Sequence, residues 1–408
     1  MTYPLDRIRA QFPILHQPVH GGQRLCYLDT AATAQKPDRV IDRLADFYRH
    51  YYGTVRRGAY SLSMEATALY EGVRRQAAAF LGAGDPHEIV FVRGTTEAMN
   101  LIAHGWGRPR LRAGDEVLVT HMEHHATIVP WHMACQATGA TLRAVPLTDR
   151  GELDMDALRG MITPRTRVVS VVHVSNALGT VNPIADIAAL AHAQGAILVV
   201  DGAQSAAHMP IDVHALGADF YACSGHKMYG PTGAGLLWGR AELLADMAPF
   251  QGGGEMIDHV DFDRVTWEAP PWRFEAGTPA FAELIGLGEA LAWMEEVGRQ
   301  ALQQHDERMV HLTATRLREE VKGIRIIGEP RVRSGIVSFV LDGLHASDVG
   351  SILDQEGVCV RVGQHCTQPV LRHFGLHSTV RASMGAYTSP EDIDQLIRGL
   401  HTAQELLG

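Results

Sequence analysis

Short, continuous apolar runs alternate with stretches of helical spacing through most of the chain. Ile89-Val90-Phe91-Val92 and Ile197-Leu198-Val199-Val200 show the pattern: each has no polar residue inside it. A strand with one wet face alternates polar and apolar residues, whereas a strand covered on both faces does not. The expected strands are 88–92, 116–120, 141–145, 167–172, 196–200, 220–223 and 235–238. Helical stretches separate several of them: one starts near Thr95, one runs through Trp131, and an amphipathic one covers 184–194. Strand and helix in turn predict an α/β fold with a mostly parallel sheet between helical layers.

After about Ala280 the rhythm changes. Two long helical stretches, 280–297 and 301–322, precede short strands at 324–327 and 336–340, a helix at 347–356 and a strand at 358–362. The last helix opens on Ser389-Pro390-Glu391, with serine at the N-cap and proline at the first helical position. The pattern divides the chain into a large domain, 20–285, and a smaller α+β domain, 286–408 together with 1–19.

Composition narrows the function. The 408 residues are 46% hydrophobic and 20% charged, ordinary for a globular chain that buries a sizeable core. A net charge of −10 gives nucleic-acid binding no electrostatic support and means that an anionic cofactor needs local donors. There is no apolar run of about 18 residues, so no membrane span is expected. The opening residues, with Asp6, Arg7 and Arg9, do not read as a signal peptide. The cysteines, Cys26, Cys135, Cys223, Cys359 and Cys366, are odd in number and form no CxxC pair. That argues for a reducing compartment and a cytoplasmic protein.

Three motifs fall at the ends of expected strands, where open α/β sheets place ligands. Arg93-Gly94-Thr95-Thr96-Glu97 joins a strand to a helix N-terminus, and its free N–H groups and the hydroxyls of Thr95 and Thr96 suit an anion. Asp201-Gly202-Ala203-Gln204 follows an apolar strand; a buried carboxylate there needs a partner such as a pyridinium N–H. Ser224-Gly225-His226-Lys227 sets a lysine beside an apolar floor that disfavours its charge, as Schiff-base chemistry requires. Taken singly, each also reads as a capped turn, a helix N-cap or a surface lysine. Together they stand in the chain order of a pyridoxal-phosphate site. His121-Met122-Glu123-His124-His125 is not an HExxH sequence, and no further ligand cluster lies near it, so no metal site is expected.

VDGAQ (200–204), SGHKMYGPTGAGLL (224–237), RFEAGTP (273–279) and RVGQHCTQP (361–369) resemble the class-V aminotransferase family, and more narrowly cysteine desulfurases of the SufS/CsdA type. The resemblance runs from about Asp29 to Ser383. It implies the fold-type-I pyridoxal-phosphate transferase fold and pyridoxal 5'-phosphate held covalently by Lys227. Asp201 would face the pyridine nitrogen and Gln204 the phenolic oxygen. Thr96, Ser224 and His226, with Thr95 in the same turn, would bind the phosphate. Thr278 would reach the phosphate of a neighbouring subunit, implying a homodimer, and His124 would stack on the ring and shuttle a proton. Arg381 would take the substrate carboxylate, assisted by Asn176 and Arg361.

Cys366 lies in Gly363-Gln364-His365-Cys366-Thr367-Gln368-Pro369, read as a loop, with Arg361 and His365 close enough in sequence to favour a thiolate. A random cysteine is more often buried and inert; the family motif makes this one the sulfur acceptor. The resemblance implies that L-cysteine gives up its sulfur to Cys366 and leaves as L-alanine, supplying sulfur for iron–sulfur cluster assembly. Val55-Arg56-Arg57-Gly58 departs from a Val-His-Arg-Gly stretch in relatives, and Gln364 stands where many carry histidine. His345-Ala346-Ser347-Asp348 lacks the second histidine of zinc-dependent acceptor systems, which favours a SufE-like acceptor protein. Other readings of the same residues are a selenocysteine lyase, a cysteine-sulfinate desulfinase, a kynureninase-like or epimerase-like enzyme, and a non-catalytic scaffold.

Overall fold

The computed structural model describes residues 3–408. Seven strands form the main sheet in the spatial order Ile89–Val92, Gly235–Gly239, Phe220–Ser224, Ile197–Asp201, Thr166–Val172, Glu116–Thr120, Thr141–Val145. Gly235–Gly239 runs antiparallel to both its neighbours, and the other pairings are parallel. The carboxyl ends of six strands therefore share one edge of the sheet. All three sequence motifs sit on that edge.

The apolar runs are continuous because both faces of the sheet are covered. On one face Trp238, Tyr221 and Leu198 pack with Tyr70, Val73, Leu287 and Leu291. Tyr70 and Val73 come from the helix Ser61–Leu81, which the sequence pattern did not single out; Leu287 and Leu291 come from Phe281–Val297. On the other face Val90, Val117 and Phe220 pack with Met99, Leu101 and Trp131 from Thr95–Ile102 and His125–Thr138.

A second sheet, ordered Ile324–Ile326, Ile336–Leu341, Thr379–Ser383, Arg361–Gly363, is antiparallel throughout. Its core takes residues from Arg299–Glu320, Ala346–Gln355 and Pro390–Leu407. Ser389 and Asp392 close a reciprocal capping box at the start of the last helix. The run expected as one strand over 358–362 is split. Val358–Cys359 pairs with Cys26–Tyr27, and Arg361–Gly363 turns onto the second sheet, which sets Arg361 opposite Arg381.

The first residues, expected with the smaller domain, pack into the core of the main sheet, which holds Ile8, Phe12 and Leu15. Phe12 is fully buried and meets Trp293 and Tyr387 edge-on at 5.5 and 4.8 Å. Truncating a buried aromatic of this kind costs about 3–5 kcal/mol, so this contact is a substantial tie between the N-terminal segment, the helix Phe281–Val297 and the turn before the last helix. Among the described residues no helix is long and apolar enough to cross a membrane.

Candidate active site

The shared strand edge and the second sheet enclose one cavity. Thr95, Thr96, His124, Asn176, Asp201, Gln204, Ser224, His226, Lys227, Arg361 and Arg381 all line it. Residues almost 300 positions apart in sequence thus meet because parallel strands deliver their ends to one place.

The anion end is built around Gly94, whose φ of 152° suits glycine and whose added Cβ would come within 3.1 Å of Ser224 Oγ. Ser224 Oγ accepts from the Thr95 N–H at 2.9 Å and bonds Thr95 Oγ1 at 2.9 Å. That pair ties the helix N-terminus to the strand before Lys227. Thr96 and His226 line the cavity beside it, and burial holds His226 neutral, down to about 4.

At the other end Asp201 Oδ1 accepts from the Ala203 N–H at 2.9 Å, while Oδ2 has only a long 3.5 Å contact from the Thr127 hydroxyl. Burial raises its pKa, as expected for a carboxylate short of partners. A cationic ring N–H is the donor this oxygen lacks. Gln204 Nε2 donates to Ala31 O at 2.8 Å, and its Oε1 is buried without a partner, as are Asn176 Oδ1 and Arg381 Nε. A polar aromatic phosphate fits these groups. Lys227 is buried among the charges of Asp201, Arg381, Arg361 and Cys366, and burial pulls its ammonium down to about 8.

His124 caps the helix His125–Thr138, its Nδ1 accepting from the Ala126 N–H at 3.0 Å. Burial, with the Lys227 charge next, lowers its pKa to about 3. The ring is therefore neutral, and because Nδ1 is an acceptor the proton sits on Nε2.

Cys366 is half-buried in the turn between Arg361–Gly363 and Gln368–His373. Arg361 Nη2 lies 3.6 Å from Sγ. His365 does not share that role. Its ring is buried, bonded through Nε2 to Thr379 Oγ1 at 2.7 Å, and held neutral, at about 3, by burial and then by Arg381 and Arg361. Of the two residues the sequence suggested beside the thiol, Arg361 is the one in contact with it. Cys223, next to the lysine motif, is fully buried, and burial raises its thiol to about 12.

Thr278 is not in the Lys227 cavity. It lines a separate one with Tyr70, Arg93, Glu97 and Gln251. Several contributors had no signal in the motifs. Asp29 Oδ1 pairs with Arg381 Nη2 at 3.1 Å, and Thr127 reaches Asp201. Glu123, wholly buried, accepts from the Thr120 hydroxyl at 2.7 Å and the Val172 N–H at 3.1 Å, and burial raises its pKa to about 8. A carboxyl beside His124 was visible in the sequence; its burial was not.

An open, mostly parallel sheet whose strand ends gather an anion turn, a buried carboxylate and a buried lysine defines a fold-type-I pyridoxal-phosphate enzyme. The aminotransferase class-V family model matches residues 26–396, and the chain belongs to that family. Its relatives narrow the class. The chain is 51% identical over 407 residues to a cysteine desulfurase of Dickeya dadantii (strain 3937), covering 100% of this chain and 98% of that one. It is 49% identical over 409 residues to a cysteine desulfurase of Klebsiella pneumoniae (strain 342), covering 100% of both. Among solved structures, the cysteine desulfurase CsdA of Escherichia coli in its S-sulfonic acid form matches with a TM-score of 0.93 at 40% identity, covering 100% of both chains. Within class V the chain is thus a member of the cysteine desulfurases, whose cofactor is pyridoxal 5'-phosphate.

Proposed function

We propose that the chain takes the sulfur of L-cysteine onto Cys366 and releases L-alanine. The observation that carries this reading is that Arg361, Arg381 and Lys227 line one cavity and that the Arg361 guanidinium lies 3.6 Å from the Cys366 sulfur. Bound pyridoxal phosphate supplies an electron sink for the substrate α-carbon. Lys227 would hold its aldehyde carbon, Asp201 its ring nitrogen, Gln204 its phenolic oxygen, and Thr95, Thr96, Ser224 and His226 its phosphate, with His124 over the ring.

Arg381 orients the substrate carboxylate with the bidentate geometry a guanidinium offers; Asn176 and Arg361 complete that end. Lys227 would remove the α-proton. Its pKa of about 8 leaves an appreciable fraction of free amine near neutrality. The Cys366 thiolate attacks the substrate sulfur. The Cβ–S bond breaks, an S–S bond forms, and the electron pair left at Cβ takes a proton, for which His124, in the cavity lining, is the donor. Lys227 returns a proton to the α-carbon, alanine leaves and Cys366 carries the persulfide.

The half-exposed position of Cys366 suits delivery of that sulfur to a thiol on a SufE-like protein, in support of iron–sulfur cluster assembly in the cytoplasm. His345 Nδ1 caps a helix by accepting from the Ser347 N–H at 3.3 Å, which favours a structural part for it over zinc-linked acceptor exchange. The same residues admit L-selenocysteine. A homodimer accounts for Thr278 lying in a second cavity and for the exposed, stacked Tyr48 and Tyr52, whose centroids are 5.3 Å apart.

Arg381→Ala is expected to raise KM for L-cysteine by about 10- to 100-fold, the worth of a charge-assisted contact. Steady-state alanine release checks this, and an unchanged KM would remove the carboxylate assignment. Stripped of cofactor, the protein is expected to recapture pyridoxal phosphate faster as pH rises. Only the neutral Lys227 amine attacks the aldehyde, and a group titrating at about 8 is about tenfold more deprotonated at pH 9 than at pH 7. Stopped-flow absorbance reads that rate; a rise of about 100-fold across the interval, as an ordinary lysine at about 10.4 would give, would contradict the lowered pKa.

A further inference from the structure

The turn that carries Cys366 is held in an unfavourable conformation. His365 and Cys366 both adopt left-handed dihedrals, with φ of 52° and 58°, where side-chain-bearing residues are strained. Four ties oppose the strain. His365 O accepts from Asn176 Nδ2 at 2.7 Å, and Cys366 O from the His125 N–H at 2.9 Å. His365 Nε2 bonds Thr379 Oγ1 at 2.7 Å, and the Thr367 N–H closes the turn on Gln364 O at 2.9 Å.

Of these ties, the one from Asn176 also reaches the substrate end of the cavity. Its backbone carbonyl accepts from Arg381 Nη1 at 2.8 Å, its side chain lines the cavity, and its Oδ1 is buried without a partner. Asn176 is itself firmly placed. Ser175 Oγ accepts from the Ala177 and Leu178 N–H groups, and Ser338 Oγ on the second sheet donates to Ala177 O. Gly179 ends this turn at φ 72°, where an added Cβ would meet Ser334 O at 2.7 Å. A single residue therefore touches the strained turn, the carboxylate-binding guanidinium and the cavity, from a mount that spans both sheets.

We propose that Asn176 is a positioning residue for sulfur transfer, locking the left-handed Cys366 turn through His365 O and coupling that turn to Arg381. The part concerning sulfur transfer rests on the reading of Cys366 as sulfur acceptor; the lock itself does not. Without the amide donor, His365 O is left buried and unpaired and the two strained residues relax, moving Sγ off its line to the substrate sulfur.

The test is alkylation of Cys366 by iodoacetamide in substrate-free holoenzyme, followed by peptide mass spectrometry so that Cys359 is scored separately. Asn176→Ala is expected to raise the Cys366 rate by about three- to tenfold, the worth of one buried hydrogen bond, while the cofactor colour is retained. The kcat for L-cysteine should fall by a similar factor and KM should change less. Thr379→Val removes another tie on the same turn from outside the cavity, so it should raise alkylation with KM unchanged. It carries the test if Asn176→Ala does not fold. An unchanged alkylation rate in the folded variants overturns the lock, and a raised KM with unchanged alkylation would confine Asn176 to substrate binding. If Cys366→Ala still desulfurates L-cysteine, the acceptor reading falls, and the alkylation result still decides the lock.

Discussion

Lys227→Ala is expected to abolish turnover, lowering alanine release from L-cysteine by about 10³-fold or more. Loss of a proton-transferring group commonly costs about 10²–10⁴-fold, and here the covalent hold on the cofactor is lost with it. Burial lowers the lysine to about 8 at a point where Asp201 pulls the pKa up and Arg381 and Arg361 push it down. Among the described residues no other lysine lines the cavity. The variant should retain its fold, since removing an ammonium held in a dry site relieves a desolvation cost. The measurement is alanine release by the purified variant reconstituted with pyridoxal phosphate, with the yellow colour as a second readout. Turnover within tenfold of the native chain would overturn the assignment.

Cys366→Ala should separate the cofactor chemistry from the sulfur chemistry. The thiol is in contact with Arg361, which lines the cavity, and belongs to none of the buried cores. The variant is expected to keep its colour and stability and to lose alanine release from L-cysteine by about 10²-fold or more, the scale of removing a reacting group. The mass of one added sulfur atom, seen on the native chain after L-cysteine, should be absent. L-Selenocysteine should still be processed, because a carbon–selenium bond needs less help to break. Normal desulfuration of L-cysteine by this variant would remove Cys366 from the mechanism and favour a lyase that releases sulfur directly.

These expectations draw on the chain in unequal ways. Most of the seven strands were legible as a covered parallel sheet because burial on both faces favours continuous apolar runs; the edge strand Thr141–Val145, partly exposed and carrying Arg143, is the exception. The three cofactor motifs were legible because each is local: a few consecutive residues carry both the strand end and the chemical group. The helix Ser61–Leu81 was not singled out. Its buried positions include Ser63, Arg74 and the three alanines Ala66, Ala77 and Ala78, so its face toward the sheet lacks a clean apolar stripe.

What depended on tertiary structure is the state of each group. Arg381 meets Asp29 across 352 positions, and Asn176 meets the turn at His365 across 189. No local pattern encodes such a pairing. His365 looked like support for the thiolate because it adjoins Cys366, but left-handed backbone at both residues sends its ring to Thr379, away from the sulfur. His124 looked like a proton carrier from its motif; only the bond from the Ala126 N–H assigns the proton to Nε2. The sequence by itself determined which chemical groups the protein owns and which strands deliver them. The folded chain decided their charge, tautomer and direction, because these follow from desolvation and from hydrogen bonds between residues far apart in sequence.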